Sequence, residues 1–302
     1  MILVTGGLGM IGAHTARALA DLGREVVATA HHRAAVPSFL SGRVTVEHLD
    51  VTDRDAFHAV TERHGVRDIV HLAGSVPGED PIGYFRADIA GLLNAFEVAR
   101  VRGIRRFAVA SSLGVYLGHP ATPWHEALPL PATESPHPII AFKKAVEPLT
   151  LDGLRGTRVE PVILRIGSVW GPLMDPESPF NPTMPYLNAA LRGERPPPVP
   201  ADDSGDACYA PDAGRAIALL TAAPALRYPI YNVSSGRPRT GRALADAVAA
   251  AVPGVHPELL PGGTPGPYLD ITRLAEDTGF APDFDTAAAV AHYVAWRAAN
   301  PR

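Results

Sequence analysis

Short β-branched runs alternate with helical patterns through the first half of the chain. ILVT (2–5), EVVAT (25–29), RVTVEHL (43–49), DIVHLA (68–73), RFAVAS (106–111) and EPVILRI (160–166) read as strands. Amphipathic segments at Met10–Leu22, Asp53–His64, Ile82–Arg102 and Ile139–Leu154 separate them. Strands that are apolar along their whole length need cover on both faces, the condition of a parallel sheet flanked by helices. Crossovers between parallel strands are right-handed almost without exception, so the pattern predicts an α/β, doubly wound sheet. After Gly171 the texture changes. Proline-rich loops surround a helical piece at 182–193, a strand-like PIYNVSS at 229–235, and helical patterns at 241–252 and 286–299. This second texture predicts a smaller lobe at the carboxyl edge of the sheet, where open α/β sheets bind ligands.

Composition narrows the classes. A chain of 302 residues makes one large or two modest domains. A formal charge of −4 gives no basic field, so nucleic acid is not an expected partner. There is no apolar run of about 20 residues to span a membrane, and MILVTGG enters a strand without a charged leader, which predicts a cytoplasmic protein. The single cysteine, Cys208, makes no internal disulfide and reads as a small buried apolar residue. The 12 histidines include the adjacent pair His31-His32, whose side chains would point to opposite faces of a strand. No His-x₃-His pair stands with a carboxylate on a helix, so no metal site is expected.

Directly after the first strand comes TGGLGMIG (5–12), with Gly6-x-x-Gly9-x-x-Gly12 and Gly7-x-Gly9-x-x-Gly12 both present. Glycines there permit a tight turn and let the backbone approach a pyrophosphate. The helix that follows offers free N–H groups and a positive dipole end, so Gly6, Gly9, Met10, Ile11 and Gly12 are expected to hold a dinucleotide. The second strand ends Thr29-Ala30-His31-His32-Arg33, without the carboxylate that usually binds the ribose of NAD. A cationic cluster suits the 2′-phosphate of NADP, with Arg33 leading and His31 or His32 assisting; the alternative is a solvated basic loop. NADP is favoured and NAD possible. In LDVTD (49–53), Asp50 is placed for an adenine amino group, Val51 for packing beside the ring, and Asp53 for capping a helix.

In order and spacing, TGGLGMIG, LDVTD, HLAG (71–74), SSLGVYLG (111–118), FKKAVE (142–147), LRIGSVWGP (164–172), DACYAPDAGRA (206–216) and YNVSSGRP (231–238) carry a resemblance over nearly the whole chain. It resembles an extended short-chain dehydrogenase/reductase of the NAD-dependent epimerase/dehydratase type. The resemblance implies a Rossmann-type domain over 1–171, with 206–234 returning to it. A smaller C-terminal substrate lobe then comprises 172–205 and 235–302. It also implies a small-molecule substrate and a homodimer packed through two helices per subunit. Leu72, Ala73 and Gly74 would lie along the cofactor. Ser112 would bond the substrate's oxygen, and Lys143, supported by Glu147, would bind the nicotinamide ribose. Plainer roles are a turn cap for Ser112 and a snorkelling surface lysine for Lys143.

The family's tyrosine belongs four residues before the lysine, where Ile139 stands; moving the register to Lys144 offers Ile140. No tyrosine occurs between Tyr116 and Tyr186, so the usual proton donor is missing. General acid–base help of that kind is worth about 10²–10⁴-fold. Replacements from the sequence are His137, flanked by two prolines, and Tyr116; behind them stand Asp88, where a salt bridge to an arginine is the plainer role, and His125-Glu126. On the substrate side, members acting on nucleotide sugars commonly carry an arginine where Gly205 stands, and a second before Asp270, where TPGPYLD has none. Charge-assisted bonds dominate diphosphate recognition, so the expected substrate is a small hydroxy or carbonyl compound rather than a nucleotide sugar. Trp170, Met174, Phe180 and Tyr186 would shape its site or form lobe core. The expected activity is that of an NAD(P)-dependent oxidoreductase or epimerase. A non-redox lyase, dehydratase or isomerase, and a non-catalytic dinucleotide sensor, are the alternatives.

Overall fold

The computed structural model describes residues 1–32, 35–176, 178 and 181–300; Arg33 and Phe180 lie outside them. The first half alternates strands and helices except between β2 and β3, which only a 3₁₀ turn (Ser38–Leu40) separates: β1 (Ile2–Thr5), α1 (Met10–Asp21), β2 (Val26–Ala30), β3 (Thr45–His48), α2 (Arg54–Arg63), β4 (Asp68–His71), α3 (Pro81–Val101), β5 (Arg106–Ser112), α4 (Pro138–Gly153) and β6 (Glu160–Ile166). Caps fix where the helices begin. Asp53 accepts from Ala56 N at 2.9 Å, and Asp80 accepts from Ile82 N and Gly83 N. Pro81 and Pro138 open α3 and α4, where a missing N–H costs nothing. That places the start of α4 at its proline, one residue before the sequence pattern suggests.

The chain continues through β7 (Val169–Trp170), α5 (Thr183–Leu191), β8 (Val199–Pro200), β9 (Ser204–Asp206), β10 (Cys208–Tyr209), α6 (Ala210–Ala222), β11 (Ile230–Val233), β12 (Pro238–Thr240), α7 (Gly241–Ala251), β13 (Leu259–Leu260), α8 (Thr272–Thr278) and α9 (Thr286–Ala299). The central sheet has seven parallel strands in the order β11-β6-β5-β4-β1-β2-β3. The order reverses between β1 and β4, and the ligand crevice of such a sheet opens there. One face is covered by α1 and α6, the other by α2, α3 and α4, and each cover makes its own apolar core. A third core, around Trp170, Met184, Leu187, Leu244, Val248 and Tyr293, holds the lobe together.

Helices α6 and α8 have no counterpart among the sequence-pattern elements. α6 is the partner of α1 across the sheet face, and Gly214 brings the two backbones into contact. A Cβ at 214 would lie 2.4 Å from the carbonyl carbon of His14. Arg106, wholly buried on β5, donates to the carbonyls of Leu220, Thr221 and Ala223 and pairs with Glu160. It satisfies the last carbonyls of α6 and suits the negative end of that helix dipole. No helix among the described residues is long and apolar enough to cross a membrane.

Two predictions follow from this packing. Gly214→Val should force α1 and α6 apart and lower the unfolding free energy by about 1–3 kcal/mol, read from urea denaturation. Burial also holds His14 and His71 neutral, with pKa values lowered to about 4 and about 3 from an ordinary 6.5. Between those values the unfolded chain binds more protons than the folded one. Stability should therefore fall as pH drops below 6.5, by about 1.4 kcal/mol per unit for each histidine.

Candidate active site

The glycine turn joins β1 to α1. Gly6 adopts φ +65°, and a Cβ on Gly12 would fall 2.1 Å from the Gly6 carbonyl oxygen, so the first turn of α1 closes directly on the loop. Met10 and Ile11 begin that turn. Beside it a cavity of about 390 Å³ is lined by Gly6, His31, His32, Asp50, Val51, Ala73 and Gly74, and Leu72 and Gly9 line its neighbour. His31 and His32 do not diverge as a strand would make them. They follow the end of β2, and their rings lie 3.7 Å apart, with His31 Nε2 3.5 Å from Asp50. Asp50 accepts from Thr52 N and Oγ1, which holds its carboxyl below the ordinary range. Among the described residues no group of three His, Cys, Asp or Glu side chains could hold a metal.

A wider cleft of about 750 Å³ runs from this turn to the lobe, lined by Met10, Ile11, Ser112, His137, Ile139, Ile140 and Ser168. Ser112 closes β5 and makes the turn cap foreseen for it, its Oγ accepting from Gly114 N at 3.1 Å, and the residue lines the cleft. Ile140 reaches over Gly114, its Cδ1 2.1 Å from where a Cβ there would stand. The wall beside Ser112 is thus aliphatic. Lys143 Nζ donates to Ala110 O at 2.7 Å, and burial lowers its pKa to about 8 against the opposing pull of Asp88.

Several sequence expectations change here. Glu147 does not support Lys143. Its carboxylate takes Ser111 Oγ and both arms of Arg165, at 2.9 and 2.7 Å, with side-chain exposures of 6% and 4% for the pair. Tyr116 does not face the cleft. It ends a 3₁₀ turn (Leu113–Tyr116) with 0% exposure, donates to Asn232 Oδ1 at 2.9 Å and accepts from Arg165 at 2.7 Å. Burial pushes its pKa up to about 12. Asp88 accepts from Ser75 N and Oγ rather than from an arginine. Glu126 is buried against Asn232 N. His137 caps α4, its Nδ1 accepting from Ile139 N at 3.3 Å at the rim of the cleft. Trp170 belongs to the lobe core, and Cys208 is buried.

A third cavity, about 390 Å³, meets the cleft at Ser168 and is lined by Tyr186, Asp206 and Arg239 among others. Asp206 accepts from Ser168 N, Ser234 Oγ and Leu269 N. Arg239 is absent from the sequence expectations, since an arginine beside a proline in a loop-like stretch carries no signal of its own.

A doubly wound sheet with a glycine turn at its switch point defines an NAD-binding, Rossmann-type protein. Residues 2–234 match the NAD dependent epimerase/dehydratase family, and the chain belongs to it. The UDP-glucose 4-epimerase of Mus musculus is 29% identical over 218 residues, a stretch covering 64% of this chain and only 62% of the mouse enzyme. That of Azospirillum brasilense is 26% identical over 314 residues, covering 94% and 88%. Among solved structures, UDP-glucose 4-epimerase of Thermotoga maritima with UDP-glucose superposes with a TM-score of 0.82 at 22% identity, covering 100% of this chain and 99% of that one. An enzyme of Stenotrophomonas maltophila with bound NAD and a formylated UDP-arabinopyranose gives 0.85 at 19%, covering 99% and 98%. Both show a shared fold.

Because Arg165 and Glu147 are desolvated together, Glu147→Ala should leave a buried, unpaired guanidinium and cost about 3–5 kcal/mol in chemical denaturation.

Proposed function

We propose that this protein is an NAD(P)-dependent epimerase-type oxidoreductase that acts at a secondary alcohol of a sugar-like substrate. The observation that carries the reading is the position of Ser112 on the wall of the cleft, with the glycine turn opposite and the Lys143 amine bonded to Ala110 just behind. A bound nicotinamide dinucleotide supplies the hydride acceptor and donor. Gly6 and Gly9 line the cavities beside the turn where such a cofactor would lie, and the lack of a side chain at Gly12 lets α1 close onto Gly6. Ser112 Oγ orients the substrate hydroxyl and polarises the carbonyl it becomes. Lys143 binds ribose hydroxyls. The proton passes to water or to His137 at the rim, because Ile139 and Ile140 offer none and Tyr116 is enclosed.

Two features bear on cofactor choice. The absence of a carboxylate after β2, with His31 and His32 in its place, supports NADP; the NAD bound to a structural relative supports NAD. The relatives' activity on UDP-glucose supports a sugar rather than the small hydroxy compound expected from the sequence. In this reading 1–171 and 206–234 make the Rossmann part and 172–205 with 235–302 the substrate lobe, except that Leu274 of α8 and Phe280 pack into the core beneath α1 and α6. Exposed Ile82, Leu93 and Val101 on α3, with Leu149 on α4, offer an apolar face for a homodimer.

A non-redox isomerase or dehydratase is the second reading, favoured by the missing phenol at Ile139. Ser112→Ala should lower kcat/KM about 10²–10³-fold on a panel of UDP-sugars and hydroxy ketones, while NADPH titration by fluorescence stays unchanged. Wild-type turnover in that variant would sink both enzyme readings. Reduced-nicotinamide absorbance appearing during single turnover separates the first from the second. Tighter binding of NADPH than NADH is the expected result, and the reverse order assigns NAD.

A further inference from the structure

The apolar side chains of the reaction cleft come from separate parts of the fold and meet beside Ser112. Ile140 shows the contact most directly. A Cβ at Gly114 would stand 2.1 Å from Ile140 Cδ1 and 3.4 Å from Ser112 Oγ, so the methyl end of that isoleucine lies beside the serine hydroxyl. Ile139 is anchored on the core beneath α4, Leu113 and Leu117 on the small core around Trp124, and Leu173 on the core beneath α1. None of these is fully buried, and each also lines the cleft. Separate cores thus turn carbon toward one cavity.

Leu173 is the second observation. Its φ is +71°, and among the described residues it is the one non-glycine residue with positive φ. L side chains avoid that region, and strain of this kind persists where the surroundings hold it, commonly at ligand sites. A glycine would fit the backbone there without strain but would leave no carbon on the cleft wall. The polar groups beside the wall are already engaged. Ser112 Oγ accepts from Gly114 N, Ser168 Oγ accepts from Asn181 Nδ2 at 3.0 Å, and Lys143 Nζ donates to Ala110 O. Each serine keeps its O–H for one ligand oxygen. His137 caps α4 at the rim, and Asp175 and Ser178 follow Leu173 in the lobe. A ring with hydroxyls on both sides of its reacting carbon would set some of them against Ile139, Ile140 and Leu117. There they leave water without gaining a partner.

We infer that the cleft takes a secondary alcohol or ketone whose neighbouring carbons carry hydrogen or alkyl groups in place of hydroxyls: a deoxygenated or alkylated ring rather than a polyol. The inference rests on the proposed reading of Ser112, and it narrows the sugar-like substrate to one without free hydroxyls at its reacting end. In the oxidising direction the carbinol carbon gives a hydride to the bound nicotinamide and its oxygen gives a proton to water. A C=O bond replaces the C–H and O–H bonds, and reduction reverses each change. The isoleucines take no proton in either direction; they contact the alkyl face of the ring.

Calorimetry on protein saturated with its dinucleotide tests this, using cyclohexanols that bear a methyl, ethyl or propyl group beside the hydroxyl, with myo-inositol as the hydroxylated ring. Each added methylene should tighten binding about 4-fold, and myo-inositol should bind about 10-fold or more weakly than the methyl compound. Ile140→Asn should flatten the series and Leu117→Ala should shrink its increment. Dinucleotide affinity should be unchanged in both variants, which also reports that they fold. Equal binding of the alkyl alcohols, no binding of any of them, or tighter binding of myo-inositol overturns the inference. Turnover followed by reduced-nicotinamide absorbance separates that failure from failure of the Ser112 reading. Loss of turnover in Ser112→Ala, on whichever ring is accepted, keeps the reading, whereas turnover unchanged by that substitution defeats it together with the inference.

Discussion

Glu147 and Arg165 bring opposite charges out of water between α4 and β6, and the reaction cleft is arranged around that pair. Desolvating two ions is costly unless their remaining hydrogen-bonding positions are filled. Here they are. Ser111 donates to Glu147, while Arg165 reaches Tyr116 and the Glu126 carbonyl. The network pins α4 against the ends of β5 and β6. α4 carries Ile139, Ile140 and Lys143, and β5 ends in Ser112, so the spacing of the cleft wall is set by charges that never touch a ligand. Tyr116 is drawn into the same network, which holds its hydroxyl between Asn232 and Arg165.

That arrangement marks the limit of what the sequence made legible. The strands were readable because each is a short apolar run, and the glycine turn because its spacing has a steric reason. Asp53 was readable as a cap because capping is local. Glu147 was not, for spacing shows that it shares a helix face with Lys143 but not that Arg165 arrives from a strand 18 residues later. α6 lies in the alanine-rich stretch APDAGRAIALLTA, which is periodic but has no counterpart among the sequence-pattern elements, and its contact with α1 reveals its importance. Arg239 depended on a ladder register between two three-residue strands, which composition and periodicity do not encode.

The aliphatic pair at 139 and 140 gives the cleft an unusual balance. A polar hydroxyl at Ser112 and an amine with a lowered pKa stand beside a wall that cannot exchange protons. In the proposed reaction, such a wall shields a transient carbonyl rather than speeding its protonation.

The backbone contact between α1 and α6 at Gly214 acts on the opposite side of the sheet from that chemistry. It fastens the rear of the very helix whose amino end faces the glycine loop. Bracing of this kind reduces the conformational freedom that binding at the amino end of α1 would otherwise have to quench. The rigidity felt by the coenzyme is thus settled during folding, by a residue with no side chain at all.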